Sequence, residues 1–168
     1  MPISIKECIQ VKGQRCTWGL VQLIDNISTE DAFPLIKLRM EGMIPFCQTN
    51  VPTSCLSYST DNSIYGTTSS PHSTSRTSGG SSGGEGAIIG ARGSLVGLGS
   101  DMAGSIRLPS AYSGCCGLKP TATRFSLLQY REPIPWRPFC MPTDGPLAQD
   151  PYAVVEVLKS IWSDQFMS

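Results

Sequence analysis

Two serines and one lysine stand out by their surroundings. Ser81 lies in the run Gly79-Gly80-Ser81-Ser82-Gly83-Gly84, Ser105 follows Ala103-Gly104, and Lys6 sits among Ile3, Ile5 and Cys8. A hydroxyl is a poor nucleophile at neutral pH and needs a base. Gly79-Gly80-Ser81-Ser82-Gly83 satisfies the GxSxG elbow pattern, but that mechanism takes its histidine from after the serine, and the single histidine, His72, precedes it. The elbow reading is set aside. A lysine can serve as base when burial removes its charge, because desolvation lowers an amine pKa by up to a few units. The apolar neighbours of Lys6 suit that role. Lysine is by default a surface residue, so the residues alone leave both readings open.

The elements that must position these groups read as α/β. Residues 3–8 alternate as a buried strand, with Val11-Lys12-Gly13 as a turn. A helix is expected over about 31–41, with Asp31 or Ser28 as cap, Phe33, Ile36 and Met40 on one face and Gly42 as terminator. Met43 to Cys47 returns as a short strand. The Gly, Ser and Thr of 66–86 have the composition of a flexible linker. Against that, the run passes directly into an apolar segment, Glu85 to Ile89, that can be helical, and 94–101 follows as a glycine-studded strand. Glycines spaced through apolar residues mark close backbone approach. Residues 121–145 read as a proline-rich loop. The last helix spans about 151–162, capped by Asp150 with Pro151 in its first position, and Val154, Val155, Leu158, Ile161 and Trp162 form its apolar stripe.

Composition narrows the class. A chain of 168 residues is enough for one domain with a moderate core. Thirteen basic and thirteen acidic residues cancel, which argues against a nucleic-acid or anionic-membrane surface. Seven cysteines show no paired CxxC spacing, and with one histidine they offer no zinc site, so reduced, mostly buried thiols in an intracellular protein are expected. No apolar run reaches the eighteen or so residues of a membrane-spanning helix. The Asn26-Ile27-Ser28 sequon matters only in a secreted protein, and no signal peptide precedes it. Pro2 to Lys6 already reads as core strand, as though the sequence opens within a domain. No P-loop lysine or strand-linked GxGxxG supports nucleotide binding.

Beyond these readings, the sequence resembles a known family. Gly79 to Ala87, continuing through Gly99-Ser100-Asp101-Met102-Ala103-Gly104-Ser105-Ile106-Arg107 to Gly117-Leu118-Lys119-Pro120-Thr121, closely resembles the amidase signature. Pro2-Ile3-Ser4-Ile5-Lys6-Glu7-Cys8 is similar to the family's lysine strand, and Thr49-Asn50-Val51-Pro52 with Ser57-Tyr58 to its next block. Within the family, Gly-Gly-Ser-Ser-Gly-Gly-Glu-Gly and Ile106-Arg107-Leu108-Pro109-Ser110 resemble the animal fatty acid amide hydrolases. Subunits that amidate tRNA-bound glutamate usually lack the glutamate at Glu85 and carry a glutamine-type residue where this chain has Leu108.

The resemblance implies a mixed twisted β-sheet flanked by helices, present here only in part. It implies Ser105 as nucleophile and acyl-ester carrier, Ser81 as proton relay and Lys6 as base, acting without metal or cofactor. It further implies a cis peptide before Ser81 and an oxyanion hole of backbone N–H groups from Met102, Ala103, Gly104 and Ser105. Ala103 replaces the family's usual glycine, which matters if that position needs positive φ. Asp101 and Arg107 are expected as a buried support pair, and Cys55 and Leu56 as lining of an acyl-chain channel. The implied substrate is a small fatty acyl amide or ester. Membrane association through segments outside these residues, an endomembrane location and a homodimer complete the expectations. Two alternatives remain open: a catalytically incompetent fragment of such an enzyme, and a glutamyl-tRNA amidotransferase A-type subunit.

Overall fold

A computed structural model describes residues 1–122 and 142–162. Its centre is a five-stranded mixed sheet in the order β2-β1-β7-β9-β8. These strands are β1 (Pro2–Lys6), β2 (Ile44–Thr49), β7 (Val96–Asp101), β8 (Cys116–Gly117) and β9 (Thr143–Ala148). β1 runs parallel to both β2 and β7, while β9 is antiparallel to β7 and to β8. Four short strands make two antiparallel pairs outside the sheet: β3 (Asp61–Asn62) with β4 (Gly66–Thr67), and β5 (Ser69–Ser70) with β6 (Ser73–Thr77). The helices are α1 (Phe33–Met40), α2 (Gly83–Gly90), α3 (Arg107–Ser113) and α4 (Pro151–Trp162).

The alternation of β1 explains the layering. Side chains of successive strand residues point to opposite faces. Ile3 and Ile5 enter the main core with Leu35 and Leu38 of α1, Val96 and Leu98 of β7, and Val154, Val157 and Ile161 of α4. Ser4 and Lys6 face the other way, toward α2, where Ser4 donates to Glu85 at 2.6 Å and Lys6 to Ser81 at 2.7 Å. One strand therefore supplies the core with one face and the polar site with the other.

α2 contains four of its eight residues as glycine, each worth about 1 kcal/mol against a helix. Close packing accounts for them. A Cβ on Gly86 would sit 2.9 Å from the Pro109 carbonyl oxygen, and one on Gly84 would strike the Asn50 backbone. Gly97 and Gly99 of β7 make room in the same way for Glu85 and Ser82. The Gly/Ser/Thr stretch is therefore structured, with Thr60 Oγ1 donating to the Gly79 carbonyl and Ser78 Oγ to that of Thr68.

Several expectations are corrected. α1 starts at Phe33 from an N-cap at Ala32 that makes no side-chain bond. Asp31 instead accepts from the Lys12 N–H at 2.8 Å and pairs with Arg39 at 2.9 Å. The buried face of α1 is Pro34, Leu35 and Leu38, whereas Met40 is 73% exposed. Both faces of this helix are apolar in sequence, and the core under β1 selects one. In α4, Asp150 accepts from the Ala153 N–H at 3.0 Å as a cap should, but the inward stripe is Val154, Val157, Leu158 and Ile161. Val155 points outward. The proline-rich stretch lies for the most part outside the described residues, as does Cys140, but its end is not a loop. Thr143–Ala148 pairs with β7 along its whole length, with Gly145 admitting the Leu118 carbonyl and the Pro146 carbonyl accepting from the Leu118 N–H at 3.1 Å. α3, closed by Gly114 at φ 67°, is an additional element. Among the described cysteines, all free, only Cys8 and Cys16 are buried; Cys47, Cys55, Cys115 and Cys116 are half-buried.

Candidate active site

Lys6 is the largest fully buried side chain among the described residues. Its Nζ donates to Ser81 Oγ at 2.7 Å, Ser100 Oγ at 2.9 Å and the Ser100 carbonyl at 3.3 Å. The C-terminal ends of β1 and β7 bring the amine and Ser100 together, and the turn ahead of α2 delivers Ser81. The Gly80–Ser81 peptide is cis. Ser82, the next residue, ties the turn down: its N–H donates to the Ser105 carbonyl at 3.0 Å and its Oγ to the Ser100 carbonyl at 3.2 Å. Ser81 and Ser105 line one cavity of about 120 Å³, together with Ser100, Met102, Ala103, Cys55, Leu56 and Tyr58. A buried amine bonded to a hydroxyl beside a cavity can exchange a proton with that hydroxyl, and the cavity gives a second hydroxyl access to a small electrophile.

The loop between β7 and α3 is organised by Asp101. Its carboxylate accepts from the N–H groups of Gly104 (2.8 Å), Ile106 (3.0 Å) and Arg107 (3.3 Å), and from the Arg107 guanidinium at 3.0 Å. Burial raises the pKa of this carboxyl, but the Arg107 guanidinium and these three amides outweigh it and hold the group at about 2. The Arg107 side chain is 55% exposed, so only one member of the expected buried pair is buried. The Gly104 amide is engaged by Asp101. Of the four expected oxyanion donors, Ala103 and Ser105 keep amides that donate to no acceptor among the described residues. Gly104 takes φ 124°, whereas Ala103 is not among the non-glycine residues at positive φ, so alanine there carries no backbone penalty. Tyr58 steadies the loop by donating its hydroxyl to the Ala103 carbonyl at 3.0 Å.

Three site residues escaped the sequence reading. Ser100 and Ser82 look like ordinary small polar residues, and only the pairing of β1 with β7 reveals what they hold. The third is Asp144 on β9, directly across from Ser100. Its Oδ1 is buried without a hydrogen-bond partner among the described residues. Burial pushes its pKa up to about 7, with the charge of Lys6 opposing. Glu85 is similar: burial raises it to about 7, against hydrogen bonds from Ser4 and Thr49 and the charge of Lys6. A carboxyl with a raised folded-state pKa stabilises the fold below its unfolded pKa of about 4, and that stability is lost as pH rises through about 7. Asp144→Asn removes one such titration. We expect the melting temperature of the variant to gain on that of the parent between pH 4 and 7.5, with a ceiling on the order of 3–4 kcal/mol. A difference that stays flat across that range would exclude a raised Asp144 pKa. Glu85 titrates equally in both proteins and cancels in the comparison.

The amidase family profile matches residues 1–167. The chain is 46% identical over 164 residues to fatty acid amide hydrolase 1 of Caenorhabditis elegans, covering 98% of this chain and 29% of that protein. It is 44% identical over 121 residues to the glutamyl-tRNA(Gln) amidotransferase A-type subunit of Treponema pallidum, covering 72% of this chain and 24% of the relative. A solved fatty acid amide hydrolase superposes on the whole chain with a TM-score of 0.85 and 33% identity, and 31% of that structure is covered. The chain thus spans less than a third of the length of these proteins. The mixed sheet flanked by helices is the corresponding part of the amidase signature fold. By its profile, its sequence relatives and its fold, this chain belongs to the amidase family.

Proposed function

We propose that this chain carries the Ser-Ser-Lys triad of a serine hydrolase that cleaves fatty acyl amides and esters through an acyl-enzyme. The 2.7 Å contact between Lys6 Nζ and Ser81 Oγ is the observation that carries the reading. In the attacking step the lone pair of the Lys6 amine accepts the Ser81 proton. Ser81 Oγ takes the proton of Ser105 as Ser105 Oγ attacks the substrate carbonyl. The resulting oxyanion is stabilised by the Ala103 and Ser105 amides, each such donor being worth about 3–4 kcal/mol in related chemistry. Reversal of the relay lets Ser81 protonate the departing amine, which could not leave as an anion. Water then clears the acyl group from Ser105. Cys55 and Leu56, on the wall of the cavity, offer apolar contact to an acyl chain. Membrane association and homodimer formation belong to this proposal as properties of the whole protein; among the described residues no helix is long and apolar enough to cross a membrane.

A fluorophosphonate is expected to add one phosphonyl group to the peptide containing Ser105, and Ser105→Ala to abolish that adduct. The parent is further expected to hydrolyse long-chain acyl amides faster than acetamide. A second reading, a fragment without activity of its own, is favoured by the exposed apolar side chains of the β2 edge, Ile44 at 63% and Phe46 at 49%. Absence of any adduct on the folded parent would select it. The tRNA-amidating alternative draws on the Treponema similarity and would require activity coupled to a glutaminase.

A further inference from the structure

Outside the proposed relay, the candidate active site holds a pair of thiols that the chemistry above does not use. Cys8 lies in the turn just past β1, two residues after Lys6, and its Sγ is 3.8 Å from Ser100 Oγ. Cys55 ends a single 3-10 turn, Thr53–Cys55, in which Ser54 and Cys55 both adopt left-handed backbone at φ 58° and 54°. The turn is fixed by the Ser54 N–H bonding the Trp18 carbonyl at 2.8 Å and the Cys55 N–H bonding that of Pro52 at 2.9 Å. So held, Cys55 packs against the core cluster that contains Cys8, and it shares a cavity wall with Ser100, the residue the Cys8 sulfur approaches. It also forms part of the cavity wall beside Ser81 and Ser105.

We propose that Cys55 and Cys8 are an oxidisable pair within the candidate active site, joined as a disulfide by peroxides, with Cys55 the attacking and Cys8 the resolving thiol. The assignment of roles follows from position. Cys55 lines the cavity, where a small oxidant can reach it, while Cys8 is 2% exposed behind it. Electrostatics agree. Burial opposes ionisation of Cys55, yet the neighbouring Cys8 thiol, Lys6 in its protonated form and the Ser81 hydroxyl together lower its pKa, against the charge of Glu7. For Cys8, burial and the neighbouring Cys55 act the other way and raise the pKa. Burial likewise raises Cys16 to about 12, Cys115 to about 11, and Cys47 above the ordinary thiol range. The thiolate is the reactive form.

The chemistry balances with hydrogen peroxide as oxidant. The Cys55 thiolate attacks one peroxide oxygen, the O–O bond breaks, and hydroxide leaves to be protonated to water, giving a sulfenic acid. The Cys8 sulfur then attacks the Cys55 sulfur, the S–O bond breaks, and the hydroxide departs with the Cys8 proton as a second water. Two thiols lose two electrons and the peroxide is reduced. A bulkier adduct on Cys55 would fill much of a cavity of about 120 Å³ that Ser81 and Ser105 also line.

Peptide mapping after hydrogen peroxide treatment and iodoacetamide blocking tests the pairing without reference to hydrolytic activity. The expected major product is a Cys8–Cys55 crosslink, cleaved by dithiothreitol. Cys8→Ser should strand Cys55 as a sulfenic acid trapped by dimedone, and in the parent N-ethylmaleimide should modify Cys55 at least tenfold faster than Cys16 or Cys115, a difference abolished in guanidinium. Cys16 is the internal competitor, since its Sγ donates to the Cys8 carbonyl at 3.5 Å. Crosslinks dominated by Cys8–Cys16 or Cys115–Cys116, or a Cys55 that stays reduced while other thiols oxidise, would overturn the proposal. Should Cys8→Ser fold poorly, the parent crosslink map and alkylation rates decide alone.

Discussion

Replacing Lys6 by Met is expected to slow fluorophosphonate acylation of Ser105 by about 10²–10⁴-fold, the range for loss of a positioned general base. Methionine retains most of the buried volume of Lys6 and none of its basicity, so the effect separates proton transfer from packing. The amine is wholly buried and bonded to Ser81 Oγ and to both oxygens of Ser100. In the proposed relay Ser81 would then lack an acceptor for the proton passed from Ser105. Lys6→Arg should be equally slow, since a guanidinium remains charged at any accessible pH and its fork needs more room. Acylation of the methionine variant at the parental rate, with its melting temperature within a few degrees of the parent, would remove Lys6 from the mechanism. The measurement is the pseudo-first-order labelling rate between pH 6 and 9.

Gly84→Ala is expected to destabilise the chain by at least about 1–3 kcal/mol, the usual cost of overpacking. Helix propensity alone points the opposite way, since alanine is better than glycine by about 1 kcal/mol within a helix. The contacts decide the sign. An added Cβ would strike the Asn50 N, lie 2.7 Å from the Asn50 carbonyl oxygen and 2.9 Å from the Thr49 carbonyl carbon. These are backbone atoms at the end of β2, pinned by the bond from the Gly84 N–H to the Asn50 carbonyl at 3.2 Å. They cannot swing aside as a side-chain tip can. Gly93 is the control, because a Cβ added there would meet only Ile88, whose movable side chain comes nearest with Cγ1 at 3.0 Å. Urea midpoints for the two variants should differ clearly; equal midpoints would mean that α2 is not docked as described.

Much of this architecture is legible in the sequence where a local signal has a single reading. The alternation of Ile3 and Ile5 with Ser4 and Lys6 gives both a strand and the split of its faces, and Asp150-Pro151 marks the start of α4. The family resemblance supplies Ser81 and Ser105, which composition alone would leave inside a linker. Failures occur where two readings are locally equal. Phe33, Ile36 and Met40 make as good a stripe as Leu35 and Leu38, and only the packing under β1 distinguishes them. Val155 and Val157 pose the same problem in α4. β9 is hidden because Gly145 and Pro146 are poor strand residues, tolerated here by close approach of Leu118. Nothing local could indicate that Asp144 lies across from Ser100, or that Cys55 packs against the core cluster of Cys8.

The contacts of Lys6 also bear on when reactivity appears as the chain folds. The amine meets Ser81 from 75 residues away and Ser100 from 94. Contacts spanning such separations require closure of long loops, and their entropy cost makes them slow to form. Isolated helices, hairpins or a collapsed globule would hold all three groups and yet lack their mutual geometry. Covalent capture by an electrophile should therefore count assembled molecules within a mixed population, in a way that helical content measured by circular dichroism cannot.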